Sequence, residues 1–431
     1  MVQRLTKGIK GRPRAAAIGG GVAGIVFLAA LAPGLIAARA PALASEPGLY
    51  RGARTSLADG GHRTSRIDYE RLDQRLRVAA SKPDMIGMAV AVIENGEISF
   101  VQGYGVTAAN GGEPITPNTV FRWASLSKGV ASTLMGQLAD EGRLSLNEPV
   151  ARFNTTLRLP AGGEQMATVA DLLSHRVGIP HNANDGKLEA GMDPKALRAS
   201  LATLAPACAP GTCHSYQNIA FDTVSEIVEK VTGQTYATEV RRRLFAPLGM
   251  QTASVTRAGL MSARSWARPH VGRTTVDVND NYYRVPAAGG VNSSIMDLAI
   301  WMRAQMGYAP QVVSPRVLET IHQARVNTDR RGTAFARVMG PSQYALGWRD
   351  YNYAGRWLVG HQGAVKGYRA TILFDPEARS GVAVLWNSQS GRPSGVQLEV
   401  LEMLYGQPRT DWLKLDAPGA GGGVTPEQIV Q

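Results

Sequence analysis

The chain contains one Ser-x-x-Lys motif, in the stretch Phe121-Arg-Trp-Ala-Ser-Leu-Ser-Lys-Gly129, where a strand-like apolar run gives way to a helical one. If a helix begins at Ser125, residues three positions apart lie on one face, so the amine of Lys128 reaches the hydroxyl of Ser125. A serine hydroxyl is a weak nucleophile until an adjacent base or cation activates it. The motif therefore predicts an acyl-transfer nucleophile. The simpler alternative is a helix cap followed by a solvated lysine.

Two further short motifs follow downstream. Tyr216 opens a Tyr-x-Asn triplet that ends at Asn218, and it is the only one of the 13 tyrosines followed by x-Asn. Near the C-terminus, a His-x-Gly motif begins at His361 and precedes a strand pattern. A second His-x-Gly begins at His270, but it lies in a loop with proline and arginine, so we select His361. The simpler alternatives are a packing role for the tyrosine and, for Asn218, the cap of a helix that begins at Ile219.

The three motifs, in this order, resemble those of the serine β-lactamase and penicillin-binding superfamily. The Tyr-x-Asn form of the second motif, with His-x-Gly in place of Lys-Thr-Gly, looks like the branch that holds class C β-lactamases, D-alanyl-D-alanine peptidases and esterases. Segments outside the motifs are similar to that family as well, at residues 168–175, 220–228 and 288–294. Together the resemblance covers about residues 66–406.

The resemblance implies an α/β (α+β) fold, in which an antiparallel β-sheet is flanked by helices and interrupted by a mostly helical inserted domain. The sequence pattern agrees, because strand-like segments at both ends of residues 66–406 surround a helical middle. Residues 66–145 and 280–406 would then form the α/β part, and residues 146–279 the helical part. Asn95-Gly96 predicts a tight hairpin between the first two strands.

The resemblance also implies the catalytic roles. Ser125 would be the acylated nucleophile, and Lys128 would hold its hydroxyl and lower the proton affinities around it. Tyr216 would take the serine proton, either as a phenolate or through Lys128. Because a free tyrosine titrates near pH ~10, a phenolate here needs nearby cations.

Four residues are expected to bind the substrate: Asn218, His361, Gly363 and Ala364. By resemblance, the backbone N–H groups of Ser125 and Ala364 form the oxyanion hole. His361 stands where the family has a lysine, and a histidine is mostly neutral at pH 7. The substitution therefore predicts weak recognition of a substrate carboxylate and leaves room for esters or amides that are uncharged at this position.

The N-terminus is typical of an export signal. Its first 14 residues carry five basic residues and no acid, residues 15–38 are small and apolar, and Ala42-Leu43-Ala44 is a small-x-small cleavage site. We predict that residues 1–44 are a signal peptide, with an uncleaved membrane anchor as the alternative. Residues 45–65 are predicted to be a linker and residues 407–431, rich in glycine near their centre, a flexible tail.

The net charge and the cysteine content limit which binding partners and cofactors we expect. The net charge of the chain is +12, but residues 1–44 contribute six basic residues and no acid, so the remainder carries +6 and shows no basic run typical of a nucleic-acid face. The only cysteines, Cys208 and Cys213, flank a Pro-Gly turn and form a disulfide in one interpretation and free thiols in the other. We expect no nucleic-acid partner, no metal and no other cofactor.

The sequence is consistent with two functions of different classes. The leading hypothesis is an exported, periplasmic or secreted serine hydrolase that acts on a small-molecule or peptide substrate, as an esterase, a D-amino-acid peptidase or a β-lactamase. The alternative is a catalytically weak cell-envelope protein that keeps the fold to bind muropeptides or a protein partner. Sequence leaves the oligomeric state open.

Overall fold

The structure, a computed structural model, describes residues 65–328, 335 and 338–416. The predicted signal peptide and most of the predicted linker lie outside these residues, as does the glycine-rich end of the tail. All the described residues belong to one compact unit. The predicted boundaries between an α/β part and a helical part within this unit stay a prediction.

An eight-stranded antiparallel sheet forms the centre of the described structure, and it confirms the predicted fold class. Its strand order is β2-β1-β12-β11-β10-β9-β8-β7, so the chain begins the sheet, leaves it for a long helical excursion and returns. The eight strands are β1 (Gly87–Glu94), β2 (Glu97–Gly105), β7 (Val326–Thr328), β8 (Ser342–Tyr344), β9 (Arg349–Tyr353), β10 (Arg356–Val365), β11 (Tyr368–Asp375) and β12 (Ser380–Trp386). Two small pairs complete the strands: β3 (Val120–Arg122) with β6 (Asn292–Ser294), and β4 (His270–Val271) with β5 (Thr274–Thr275).

The first hairpin forms where the sequence predicts it. Asn95 and Gly96 both have positive φ, of 54° and 87°, which the two-residue turn between β1 and β2 requires. Strand β1 then pairs with β12, so the first and last strands of this sheet along the described chain are neighbours, with β1 next to the edge strand β2 and β12 one strand further in. The prediction that both chain ends build one sheet is therefore confirmed.

Helices cover both faces of the sheet and are the main regular elements of the excursion. They are α1 (Tyr69–Ala80), α2 (Ser127–Asp140), α3 (Val169–Leu173), α4 (Asp185–Glu189), α5 (Pro194–Ser200), α6 (Thr223–Thr232), α7 (Tyr236–Val240), α8 (Arg257–Met261), α9 (Pro286–Gly289), α10 (Ile295–Gln305), α11 (Pro315–His322) and α12 (Val396–Tyr405). In the described part of the chain, no helix is both long and apolar enough to span a membrane.

The sheet is buried on both faces, because alternate residues of its central strands enter two different hydrophobic cores. On β1, Ala89 and Ala91 belong to the core that also contains α2 and α10, whereas Met88 and Val90 pack with α1 and α12. Since side chains alternate across a strand, the near-continuous apolar sequence of β1 follows directly from this double burial.

The packed domain continues beyond residue 406, where the sequence predicts the flexible tail to begin. Leu413 is wholly buried in the core beside α1 and α12, and the indole of Trp412 donates to Glu402. The guanidinium of Arg75 on α1 bonds to Glu399 on α12 and to Asp411, at 2.6 Å each. Residues 407–416 are therefore held by an apolar anchor and a buried ion-pair network that their polar composition did not reveal.

Cys208 and Cys213 form a disulfide across the Pro-Gly turn, which resolves the two interpretations of this pair. The bridge closes a loop that ends three residues before Tyr216. The carbonyl oxygen of Cys208 lies so close to Gly178 that a methyl group there would stand 2.4 Å from it. The disulfide thus braces the segment that carries the second motif.

The Arg75 network should account for a substantial part of the stability of the domain. We expect Arg75→Ala to lower the free energy of unfolding by about 3 kcal/mol, because it leaves the buried Glu399 carboxylate without its cation. Arg77→Ala, on the same helix but with an exposed side chain, is the matched control and should change stability little. Urea denaturation of both variants tests this, and equal stabilities would contradict it.

Candidate active site

Ser125, the candidate nucleophile, lies in a turn whose backbone is strained at Ala124. Ser125 occupies a 3₁₀ turn, Ala124–Leu126, that joins β3 to α2, so the helix proper begins two residues later than the sequence suggests. Ala124 has a φ of 50°, in the left-handed region that an alanine rarely adopts. Strain of this kind persists only where surrounding packing enforces it, and here it sets the direction of the Ser125 side chain.

Strand β10 enforces the turn from the other side. A methyl group on Gly363 would lie 2.2 Å from the carbonyl oxygen of Trp123 and 3.1 Å from the nitrogen of Ser125, so only glycine fits. The close approach brings the third motif against the first and places Ala364, the next residue of β10, beside the nucleophile. That the backbone N–H groups of Ser125 and Ala364 form an oxyanion hole stays a prediction.

Ser127, the other serine of this stretch, has its hydroxyl held by two hydrogen bonds. Its hydroxyl is wholly buried, donates to the carbonyl of Ala124 at 2.6 Å and accepts from the N–H of Val291 at 3.0 Å. Both of its hydrogen-bonding roles serve to fix the turn. Ser125 is the serine of this stretch that remains available for chemistry.

Lys128 is fully buried, and its amine has three neighbours within hydrogen-bonding distance. Its Nζ lies 3.2 Å from Oγ of Ser125, 2.7 Å from Oδ1 of Asn218 and 2.9 Å from the carbonyl oxygen of Ala288. The pKa of Lys128 is lowered to about 7, chiefly by burial; the carboxylates of Asp185 and Asp222 oppose this shift and the charge of Arg349 adds to it. The interpretation of Lys128 as a solvated lysine is excluded by this burial.

The hydrogen-bond partners of Lys128 determine where the lone pair of its neutral amine points. The oxygen atoms of Asn218 and Ala288 can only accept, so they hold both protons of a neutral amine. Its one lone pair is then directed at Oγ of Ser125. Once deprotonated, Lys128 is positioned as a general base for the serine hydroxyl.

Tyr216 lies close enough to Ser125 for the two side chains to interact. Burial raises the pKa of Tyr216 well above its usual range, although the bond to Ser125 and the charge of Arg349 oppose the shift. The Lys128 ammonium lies 4.7 Å from the centre of the Tyr216 ring. Of the two proton acceptors that the resemblance allows, this environment favours the amine over a phenolate, with the neutral phenol as a proton relay.

Asn218 does not cap a helix, because α6 begins at Thr223 and not at Ile219. Its side-chain amide instead bridges two charged groups. The oxygen accepts from Lys128, and Nδ2 donates to a carboxylate oxygen of Asp185 at 2.6 Å. Burial raises the pKa of Asp185 to about 6, while the bond from Asn218 and the charge of Lys128 pull it down.

His361 belongs to a chain of hydrogen bonds that reaches back to the second motif. The N–H of Gln217 donates to Nδ1 of His175 at 3.1 Å, and Nε2 of His175 lies 3.0 Å from the hydroxyl of Tyr344. The same hydroxyl lies 3.0 Å from Nε2 of His361, whose Nδ1 lies 2.7 Å from the carbonyl oxygen of Gln362.

The two ends of this chain fix which histidine nitrogens carry a proton at Nδ1. A backbone N–H can only donate, so Nδ1 of His175 carries no proton and its Nε2 donates to Tyr344. A carbonyl oxygen can only accept, so Nδ1 of His361 carries a proton. The expectation that the third motif supplies no fixed charge stays a prediction.

Sequence reasoning missed Arg349, Tyr344, His175 and Asp185 as components of the site. Arg349 begins β9, and its guanidinium lies 5.9 Å from the centre of the Tyr216 ring and 5.1 Å from that of Tyr344. The ring of His175 packs against Tyr216 at 4.2 Å between centres. Two of them had a weak sequence signal, because His175 ends the family-like segment 168–175 and Arg349 comes shortly before the strand that carries the third motif.

The rejected His-x-Gly has a structural role. His270 is fully buried, and its Nε2 accepts from the N–H of Ala109 while its Nδ1 donates to the carbonyl oxygen of Asn387. Among the described residues, no group of three or more His, Cys, Asp or Glu side chains is placed to hold a metal ion.

Comparison with known proteins agrees with this geometry. The sequence matches the beta-lactamase family over residues 72–407, well over half of the chain. The chain belongs to the beta-lactamase family.

Relatives of this family member include hydrolases. The chain is 28% identical over 334 residues to Unguisins hydrolase ungD of Aspergillus violaceofuscus, covering 70% of this chain but only 58% of that relative, less than two thirds of its length. Among solved structures, it superposes on an octameric penicillin-binding protein homologue from Pyrococcus abyssi with a TM-score of 0.71 and 26% identity, over 79% of this chain and 78% of the other. A class C beta-lactamase mutant, with a TM-score of 0.65 and 21% identity over 79% and 99% of the two chains, shares the fold.

The protonation state of Lys128 should set the pH dependence of acylation. We expect kcat/KM for a neutral p-nitrophenyl ester to rise as pH increases through about 7, because only the neutral amine accepts the serine proton. Lys128→Met should abolish this activity at every pH, while Lys230→Met, an exposed lysine on α6, should keep the native profile. A rise that occurs only near pH ~10 would contradict the assignment and point to Tyr216 as the base.

Proposed function

We propose that this beta-lactamase-family protein is an exported serine hydrolase that cleaves an ester or amide through an acyl-enzyme on Ser125. The observation that carries the proposal is the buried amine of Lys128, held by two acceptors so that its lone pair faces Oγ of Ser125. A purely structural lysine gains nothing from such burial, because removing an ammonium from water is costly.

In the acylation step, Lys128 removes the hydroxyl proton as Oγ of Ser125 attacks the substrate carbonyl. The bond from Oγ to the acyl carbon forms, and the developing oxyanion is bound by the backbone N–H groups of Ser125 and Ala364. The bond from the acyl carbon to the leaving group breaks, and the leaving group departs with a proton delivered from Lys128 through the phenol of Tyr216, whose side chain interacts with Ser125. Both residues thus return to their starting states.

Deacylation reverses the same proton path with water as the nucleophile. Water loses its proton to the amine of Lys128, either directly or through Tyr216, and Oγ of Ser125 recovers a proton as the acyl group leaves. Acylation and deacylation both use Lys128 as the base. In each step Lys128 takes a proton from the attacking oxygen, and the group that leaves the acyl carbon receives a proton. No further titrating residue is required.

Hydrolases among the relatives support the reaction class, since the Aspergillus relative is itself named a hydrolase. Whether the enzyme is an esterase, a D-amino-acid peptidase or a β-lactamase depends on how it binds the groups around the scissile bond. The Asn218 amide offers one anchor for an amide of the substrate, on the side of the site that Asp185 borders.

Export is proposed on two grounds. The basic and then apolar N-terminal sequence has the order of a signal peptide, with membrane anchoring as the alternative. The disulfide between Cys208 and Cys213 is of a kind that persists in oxidising compartments and is rare in the cytosol. A periplasmic or secreted location satisfies both.

The alternative is a cell-envelope protein that binds muropeptides or a protein partner with little catalysis. Such a protein would need the cleft but not a proton acceptor aimed at a serine. The alignment of Lys128, Ser125 and Tyr216 gives the hydrolase the stronger support.

Covalent labelling distinguishes the two functions. We expect a fluorescent fluorophosphonate to label the native protein on Ser125, and Ser125→Ala to lose both the label and ester turnover by ~10³-fold or more, because the nucleophile is gone. Ser99→Ala, which removes a hydroxyl from β2 at the edge of the sheet, is the matched control and should label normally. An unlabelled native protein, or undiminished labelling of Ser125→Ala, would overturn the hydrolase assignment.

A further inference from the structure

A buried carboxylate that none of the reaction steps uses lies close to Lys128. Asp222 is only 1% exposed and stands directly before α6, where an aspartate ordinarily accepts a hydrogen bond from the first turn of its helix. Its side chain makes no such capping bond. Because burying a carboxylate is costly unless its oxygen atoms are hydrogen-bonded, the partners that Asp222 takes instead indicate what it holds.

The partners of Asp222 lie on three helices. Its Oδ1 accepts from the backbone N–H of Ala287 at 2.9 Å and from the hydroxyl of Ser225 at 3.0 Å, and its Oδ2 accepts from the guanidinium of Arg198 at 3.0 Å. Arg198, on α5, is buried as well and also pairs with Glu226 on α6. One arginine thus neutralises two carboxylates, of which Asp222 is the one that bonds to α9.

The bond to Ala287 fixes the position of α9. Pro286 is the first residue of this short helix and has no N–H, so the N–H of Ala287 is the first donor of the helix and has no partner within it. Asp222 supplies that partner inside the core. The next residue, Ala288, directs its carbonyl oxygen to Nζ of Lys128 at 2.9 Å. The carboxylate therefore holds one of the two acceptors that orient the lysine amine.

The titratable and charged groups around Lys128 come from several elements. They are Tyr216, His175, Asp185, Asp222 and Arg349. The phenol and the imidazole are uncharged at neutral pH, because burial raises the pKa of Tyr216 and lowers that of His175. The two carboxylates stabilise the ammonium form of Lys128, whereas Arg349 destabilises it.

Asp222 is in turn surrounded by few charges. Arg198 is its ion-pair partner, and Glu226 and the buried phenol of Tyr236 are further titratable groups that interact with it. Burial raises the pKa of Asp222 to about 7, although Arg198 and the hydrogen bonds that it accepts oppose the shift. Its negative charge thus develops in the pH range in which Lys128 loses its positive charge, so the two groups titrate as a coupled pair.

We propose that Asp222 is a positioning residue for the reaction, which holds α9 in place through Ala287 and stabilises the ammonium form of Lys128 by its charge. This rests on the proposed hydrolase function and deepens it. Asp222 does not contact the nucleophile, and it transfers no proton. A base that is buried without a nearby carboxylate is a weaker base, so the charge of Asp222 keeps the amine strong enough to accept the serine proton.

Two substitutions separate the contribution of the charge from that of the hydrogen bond. Asp222→Asn removes the charge and keeps an oxygen for the N–H of Ala287, whereas Asp222→Ala removes both. For a neutral p-nitrophenyl ester, we expect Asp222→Asn to keep most of the plateau kcat/KM and to lower the midpoint of its rise with pH by roughly 0.5 to 1 unit, less than a directly contacting charge produces. Asp222→Ala should lower the midpoint equally and also lose about tenfold or more of the plateau, because the N–H of Ala287 is left unpaired.

Glu226→Gln is the matched control. It removes a carboxylate from the same arginine and the same helix, but Glu226 bonds to Thr156 and not to α9. Its stability should fall as that of Asp222→Asn does, while its midpoint and plateau stay close to the native values. Equal midpoint shifts in Glu226→Gln and Asp222→Asn would overturn the proposal, and so would a native midpoint in Asp222→Asn.

A second measurement requires neither turnover nor a substitution at Asp222. Coupling between two charges is reciprocal, so loss of the Lys128 ammonium must make Asp222 harder to ionise. The side-chain carboxyl ¹³C resonance of Asp222, followed by NMR through a pH titration, should have a higher midpoint in Lys128→Met than in the native protein. An unchanged midpoint would refute the proposal even for an active hydrolase. A native protein that the fluorophosphonate fails to label would instead refute the hydrolase function.

Discussion

Burial of one lysine amine is the constraint on which this structure depends. Water cannot solvate Lys128, so the protein must supply every hydrogen-bond partner of its amine, and it draws them from three separate elements. Ser125 comes from the turn before α2, Asn218 from the loop before α6 and Ala288 from α9. The buried amine is stable only if all three elements are correctly positioned. The packing of the helical region therefore determines the geometry on which the chemistry of the nucleophile depends.

The sheet contributes the other half of the site by bringing strands from distant parts of the chain beside the nucleophile. Gly363 on β10 presses against the backbone of the Ser125 turn, and the strained φ of Ala124 is the local consequence. Tyr344 on β8 connects His361 to His175 through hydrogen bonds. Arg349 on β9 brings a guanidinium to the same group of rings, close to Tyr216 and Tyr344.

The sequence predicted the motifs, their order, the antiparallel sheet and the hairpin at Asn95-Gly96, because each of these is encoded over a few neighbouring residues. It did not predict the contribution of Arg349, since proximity between β9 and Tyr216 depends on strand pairing and a loop closure that no local pattern records. It placed the end of the domain at residue 406 because residues 407–431 are rich in glycine near their centre, whereas Leu413 and the ion pair between Arg75 and Asp411 hold residues 407–416. The start of α6 was misjudged for a similar reason, as the segment after Asn218 is apolar but turns before it becomes helical.

The most direct measurement of the central claim is the charge of Lys128 itself. In protein labelled with ¹⁵N-lysine, the Nζ resonance that disappears in Lys128→Met can be followed through a pH titration by NMR. Burial with two obligate acceptors predicts a midpoint at about pH 7 for this resonance, while exposed lysines titrate near pH ~10.4. A midpoint at the ordinary lysine value would contradict the account, because the amine would then be an ammonium at neutral pH and unable to accept the proton of Ser125.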